Sequence, residues 1–150
     1  MEFNGLIAEF GAACGVGALE ADDNGIVRLQ ADDIVLSFME LPVRRQIVMF
    51  ADVAEKPDEG AGQLLETLLQ AQYLGGVLDG ACFSISPEGT ISLHRSDRLV
   101  DLDAASFAKT VESFLNLVDK WREVVAEFRP GEADATTGEN LPLDGNLFRV

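Results

Sequence analysis

The chain has 150 residues, 47% of them apolar, and its 26 acidic against 11 basic side chains give a formal net charge of −15. That length suits one domain able to bury roughly 68–70% of the surface its unfolded chain exposes, and the apolar share argues against intrinsic disorder. So acidic a surface repels phosphate backbones and anionic lipid, which sets nucleic acid and bilayers aside as partners.

In chain order, Phe3, Leu6, Ile7, Phe10 and Cys14 recur at spacings of three and four, which predicts one face of a helix ended by Gly15 and Gly17. Asp22-Asp23-Asn24-Gly25 is a turn signal. Three β-rich runs follow at 26–30, 34–40 and 46–53, divided by Asp32-Asp33 and by Leu41-Pro42. In the second run Ile34, Leu36 and Phe38 share a face. In the third, Ile47, Met49, Ala51 and Val53 alternate with Val48 and Phe50, so the strand is expected to be covered on both sides. A polar stretch at 55–60 leads into a second helix over 62–73, where Leu64, Leu65, Leu68, Leu69, Gln72 and Tyr73 form a broad stripe that Gly75-Gly76 stops.

A hairpin comes next, with strands at 81–86 and 90–95 around Pro87-Glu88-Gly89; Phe83, Ile85, Ile91 and Leu93 take one face and serines the other. Asp101 or Asp103 caps the longest helix, along which Phe107, Val111, Phe114, Val118, Trp121, Val125 and Phe128 step by four and three. The order helix-β-β-β-helix-β-β-helix predicts an α+β domain over residues 1–128, three helices packed on a mostly antiparallel five-stranded sheet. Residues 129–150 are a polar tail whose 141–150 stretch is apolar again. Such a peptide suits a groove of its own or a neighbouring subunit, or packing along the last helix.

Little in the chain points to catalysis. His94 is the only histidine and supports neither a triad nor a metal cluster, and an exposed strand position is expected for it. Gly11, Gly15 and Gly17 follow a helix rather than a strand and do not fit a dinucleotide fingerprint. Asp22-Asp23, Asp32-Asp33, Asp101 and Asp103 fall at turns and helix starts, where carboxylates cap and solvate; a general acid–base pair among them is the alternative. Cys14 and Cys82 are too few and too far apart for a disulfide framework or metal site, and a small buried thiol is expected at each. The start of the chain lacks the basic and apolar regions of a signal peptide, and no apolar run approaches the roughly 20 residues of a membrane span. A reducing cytoplasm is the expected location.

What the chain has in excess is apolar surface. Leu64, Leu65, Leu68 and Leu69 are adjacent pairs spreading over more than about 100° of helix arc, more than one packing seam needs. Two readings remain open: a fully buried central helix, or a homodimer seam in which the same patch meets itself across a two-fold axis.

Specific phrases, in this order of elements, carry a resemblance. Leu64-Leu65-Glu66-Thr67-Leu68-Leu69-Gln70-Ala71-Gln72 is followed by Gly80-Ala81-Cys82-Phe83-Ser84-Ile85, the turn Pro87-Glu88-Gly89 and Thr90-Ile91-Ser92-Leu93. Arg98-Leu99-Val100-Asp101-Leu102-Asp103 then opens the final helix, with Trp121 along it. With the N-terminal helix and the acidic balance, residues 1–128 resemble the class I type III secretion chaperones of the Tir-chaperone (CesT-like) family. One departure is Gln72 or Gln70 where many members keep an asparagine.

The resemblance implies a function without chemistry, cofactor or metal. Such proteins are homodimers in the bacterial cytoplasm that bind the N-terminal region of a secreted effector and keep it soluble until the secretion ATPase takes over. An extended client adds a strand to a sheet edge and drops alternate apolar side chains into grooves. By position, the client-contact candidates are Phe3, Leu6, Ile7, Phe10, Leu29, Val35 and Phe38, each of which serves equally as core. The dimer-seam candidates are Leu64, Leu65, Leu68, Leu69 and Tyr73. The alternatives are a YbjN-like interaction module of the same fold and a small enzyme using the turn carboxylates Asp32, Asp33, Asp101 and Asp103.

Overall fold

Helix α1, Phe3–Cys14, buries Phe3, Leu6, Ile7, Phe10 and Gly11 along the face the spacing predicts. Gly15 ends it at a left-handed φ of 69°, which lets the N–H groups of Gly15 and Val16 return to the carbonyls of Ala12 and Gly11. The structure, a computed structural model, describes residues 2–131; the apolar 141–150 stretch lies outside the described residues.

Strands β1, Ile26–Ala31, and β2, Ile34–Leu41, form a hairpin closed by Asp32 and Asp33. Asp32 takes a left-handed φ of 53°, which aspartate tolerates better than most residues. A 3-10 turn at Pro42–Arg44 leads to β3, Gln46–Glu55. Beyond α2, Ala61–Gln72, come β4, Cys82–Ile85, and β5, Thr90–Arg98, then α3, Ala104–Glu127. All pairings are antiparallel and the sheet order is β1-β2-β3-β5-β4, so β1 and β4 are its edges.

The five-stranded α+β arrangement matches the predicted one, with boundaries set by pairing. β3 runs past Val53 to Glu55 through a register shift between Asp52 and Ala54. β5 runs past Arg95 because Ser96, Asp97 and Arg98 continue its ladder opposite Val48, Ile47 and Gln46. α2 stops at Gln72, one residue short of Tyr73, and a 3-10 turn at Tyr73–Gly75 follows with Leu74 left-handed. Of the two capping candidates for α3, Asp103 does the work: its carboxylate accepts the Ser106 N–H at 2.7 Å, and the Ser106 hydroxyl accepts the Asp103 N–H at 3.0 Å.

The core lies on one face of the sheet. Ile34, Leu36, Phe38, Ile47, Met49, Ala51, Ile91 and Leu93 from the strands meet Phe10 of α1, Leu64 and Leu68 of α2, and Phe107, Val111, Phe114 and Val118 of α3. At its centre Phe10, Phe38 and Phe107 contact one another edge-on or tilted, with ring centroids 5.1–5.9 Å apart. The expectation that β3 is covered on both sides is corrected. Val48 and Phe50 face away from the core, where Val48 is buried and Phe50 half-buried beside their strand neighbours Met39, Ser37 and His94. Position in the middle of the sheet, rather than a second layer, shelters them.

Both cysteines also depart from expectation. Cys14 is exposed, because α1 ends on that residue and nothing closes over it, and Cys82 is half-buried on edge strand β4. His94 is half-buried on the face away from the core. At the far end, the first residues beyond 128 belong to the domain surface. Pro130 packs on Gly60, and Gln63 accepts the Gly131 N–H at 2.9 Å.

Candidate functional site

Two apolar features of the described residues bear on function. The first is a groove of about 460 Å³ where the end of α1, the β1–β2 hairpin and the middle of α3 meet. Phe10, Leu29, Ile34, Val111 and Leu115 line it, with Cys14 beside them and Asp32, Asp33, Glu112 and Asp119 among its walls. Arg122 fixes the hairpin wall. Its guanidinium donates to the Asp33 carbonyl at 3.3 Å and pairs with the Asp33 carboxylate at 3.3 Å. The same group donates two bonds, at 3.0 and 3.2 Å, to the carbonyl of Asp52 in the irregular part of β3. One half-buried arginine on α3 thus bonds to both the hairpin turn and the irregular part of β3.

Edge strand β1 runs beside this groove. Its first half is masked by a short return of the chain: Ala21 bridges Val27 and the Asp22 N–H donates to the Ile26 carbonyl at 2.9 Å. The Asp22 carboxylate is held below the usual carboxylate range, first by its hydrogen bond from Arg28 and then by the Ile26 N–H. Among the described residues, no strand lies on the outer side of β1 from Arg28 to Ala31.

The second feature is the outer side of α2 with β4. Leu64 and Leu68 point into the core, Leu65 is half-buried, and Leu69 and Tyr73 are 63% and 60% exposed. Leu65, Leu68 and Leu69 border, with Phe83 and Ile85 of β4, a cleft of about 140 Å³. The Gln72 side chain accepts the Phe83 N–H, so the polar residue ending the leucine-rich helix fastens α2 to β4. Phe83 in turn stacks edge-on against Trp121 at 5.0 Å, which completes the support of this surface from α3.

The client-contact candidates divide by depth. Phe3, Leu6, Ile7, Phe10 and Phe38 are buried, Leu29 is half-buried, and Val35 is 47% exposed on the sheet face away from the core. Only Phe10 and Leu29 reach the groove. Missing from the candidates were its α3 wall, Val111, Glu112, Leu115 and Asp119. The stepping of α3 identifies a core stripe, and residues one position off that stripe become groove wall only once α1 is docked. The turn carboxylates do not converge: Asp103 caps the start of α3, whereas Asp33 pairs with Arg122, nineteen positions and therefore roughly 28 Å further along that helix. Among the described residues no cluster of three His, Cys, Asp or Glu is arranged for a metal, and no helix is long and apolar enough to cross a membrane.

An antiparallel sheet with its helices on one face thus carries an apolar groove and an apolar edge. The model of the Tir chaperone protein (CesT) family matches residues 5–122, and the chain belongs to that family. No curated protein is a significant sequence match. Among solved structures the chain is similar to one in the HopA1–SchA chaperone–effector complex, with 18% identity, a TM-score of 0.67, and 81% of this chain and 93% of that one covered. It is similar to one in the ExsC–ExsE complex at 21% identity and a TM-score of 0.68, covering 83% and 96%. The Yersinia pestis type III secretion chaperone SycH, solved with a stable fragment of YscM2, gives 15% identity and a TM-score of 0.63, covering 79% and 98%. Membership favours the chaperone reading over both the YbjN-like module and the carboxylate enzyme.

Proposed function

We propose that this protein is a non-enzymatic, cytoplasmic chaperone that binds the N-terminal region of a type III secreted effector, works as a homodimer, and releases its client to the secretion ATPase. The groove between α1, the β1–β2 hairpin and α3 carries the reading. It offers an apolar floor beside a stretch of edge strand that no described strand covers, the pairing that an extended client uses for side chains and backbone together. Leu29 and Phe10 are the candidate contacts in the floor, with Phe38 packed against Phe10, Phe3, Leu6 and Ile7 buried elsewhere along α1, and Val35 available on the opposite face. Leu65, Leu69 and Tyr73 are the outward part of the dimer seam, and Leu64 and Leu68 hold it from inside. The similar fold solved in the HopA1–SchA chaperone–effector complex supports the assignment.

The test is purification from the native bacterium, followed by light scattering and identification of the bound polypeptide. A dimer carrying the N-terminal region of a secreted protein is the expected result. A clean monomer with no partner overturns the reading.

A further inference from the structure

The groove described above has an apolar floor and a one-signed rim. Asp32 and Asp33 stand on the hairpin side, Glu112 and Asp119 on the α3 side, and among the described residues no lysine or arginine lines it. Of these four carboxylates only Asp33 has a cationic partner among the described residues, Arg122. Glu112 and Asp119 are seven positions apart on α3, two helical turns, so they share a face at a separation of about 10.5 Å with Leu115 between them. That spacing matches two turns of a client helix or about three residues of a client strand.

We propose, resting on the client-binding reading above, that this groove selects apolar segments flanked by lysine or arginine and rejects those flanked by carboxylates. The client's apolar side chains fill the floor over Phe10, Leu29 and Leu115, and its cationic groups settle on Asp32, Glu112 and Asp119. Complementary rim charges of this kind set partner choice and salt dependence more than raw affinity. The molecule's overall charge of −15 acts in the same direction at longer range.

The experiment uses fluorescein-labelled peptides that share one set of leucines and differ only in carrying Lys, Ser or Glu at the flanking positions. Each is titrated with the full-length protein, wild type and the triple variant Asp32→Asn, Glu112→Gln, Asp119→Asn, at about 50 mM and about 500 mM NaCl. The expected result at low salt is Lys-flanked binding about tenfold tighter than Ser-flanked, with the Glu-flanked peptide weakest. High salt should remove that preference, and the triple variant should reduce it to the smaller part that net charge supplies at long range. Unchanged circular dichroism shows that the variant is folded. Equal affinity for Lys- and Ser-flanked peptides, or a preference undiminished in the triple variant, overturns the selectivity and leaves the groove as a client site. Failure of wild type to bind any of the three overturns the client-binding reading of the groove and the selectivity with it.

Discussion

Phe107 touches both Phe10 and Phe38, so it joins α3 to α1 and to β2 at one point. Truncating it to alanine should cost about 3–5 kcal/mol, because the three rings leave no neighbour free to collapse into the space; denaturant unfolding measures this directly. Asp103 tests a different force. The hydrogen bond from the Ser106 backbone N–H, more than any other contact, holds its carboxylate below the usual range. A lowered folded-state pKa adds stability above the unfolded pKa and loses it as pH falls through the folded one. Asp103→Ala should therefore lower the melting temperature near neutral pH, and the gap to wild type should close as acid protonates the cap. An undiminished gap at pH 2 would assign the effect to something other than charge. At this scale the sequence was legible in part. Periodicity placed Phe10, Phe38 and Phe107 on inward faces, since each lies on an unbroken stripe. It gave Leu68 and Leu69 equal standing, although one is 2% and the other 63% exposed. Which leucine of an adjacent pair turns inward depends on how α2 docks against β4, a contact between distant segments that no local pattern contains.

Between elements, the decisive fittings are polar or steric rather than greasy. A Cβ on Gly11 would stand 2.6 Å from the Gly17 carbonyl oxygen, with the Leu19 side chain close behind. Gly11→Ala should thus push the link between α1 and β1 away from the helix, costing about 1–3 kcal/mol and raising amide exchange around residues 17–22. Normal protection there would show that the link has slack. The glycine was read from sequence only as a failed nucleotide motif, because its partner lies across a loop whose path the chain alone does not state. Arg122 has the same character. It stands beside Trp121 on a predicted helix, yet its bonds to Asp33 and Asp52 cross between segments far apart in sequence. The helices and strands themselves were legible, because alternation and three-four spacing are written locally. The groove wall on α3 was not, since it is made by docking.

For the whole molecule, charge and apolar surface pull against each other. Two protomers of −15 must approach for the proposed seam, with Leu65, Leu69 and Tyr73 as its outward part, to close. Leu69→Asp is the informative variant: its side chain is already exposed, so light scattering should report a monomer whose circular dichroism is unchanged. Leu68→Asp is not, since a charge at a 2% exposed core position unfolds the protomer before it reports on association. Salt then separates the two proposed surfaces by sign. Added salt screens the repulsion between like-charged protomers and strengthens the hold of apolar contacts, so the dimer should tighten as NaCl rises. Binding of a cationic segment in the acid-rimmed groove should weaken over the same range, for the same screening acts there on an attraction. Sedimentation and peptide titration along one salt series read both slopes. Slopes of equal sign would mean that one of the two surfaces works by a different force from the one its residues supply.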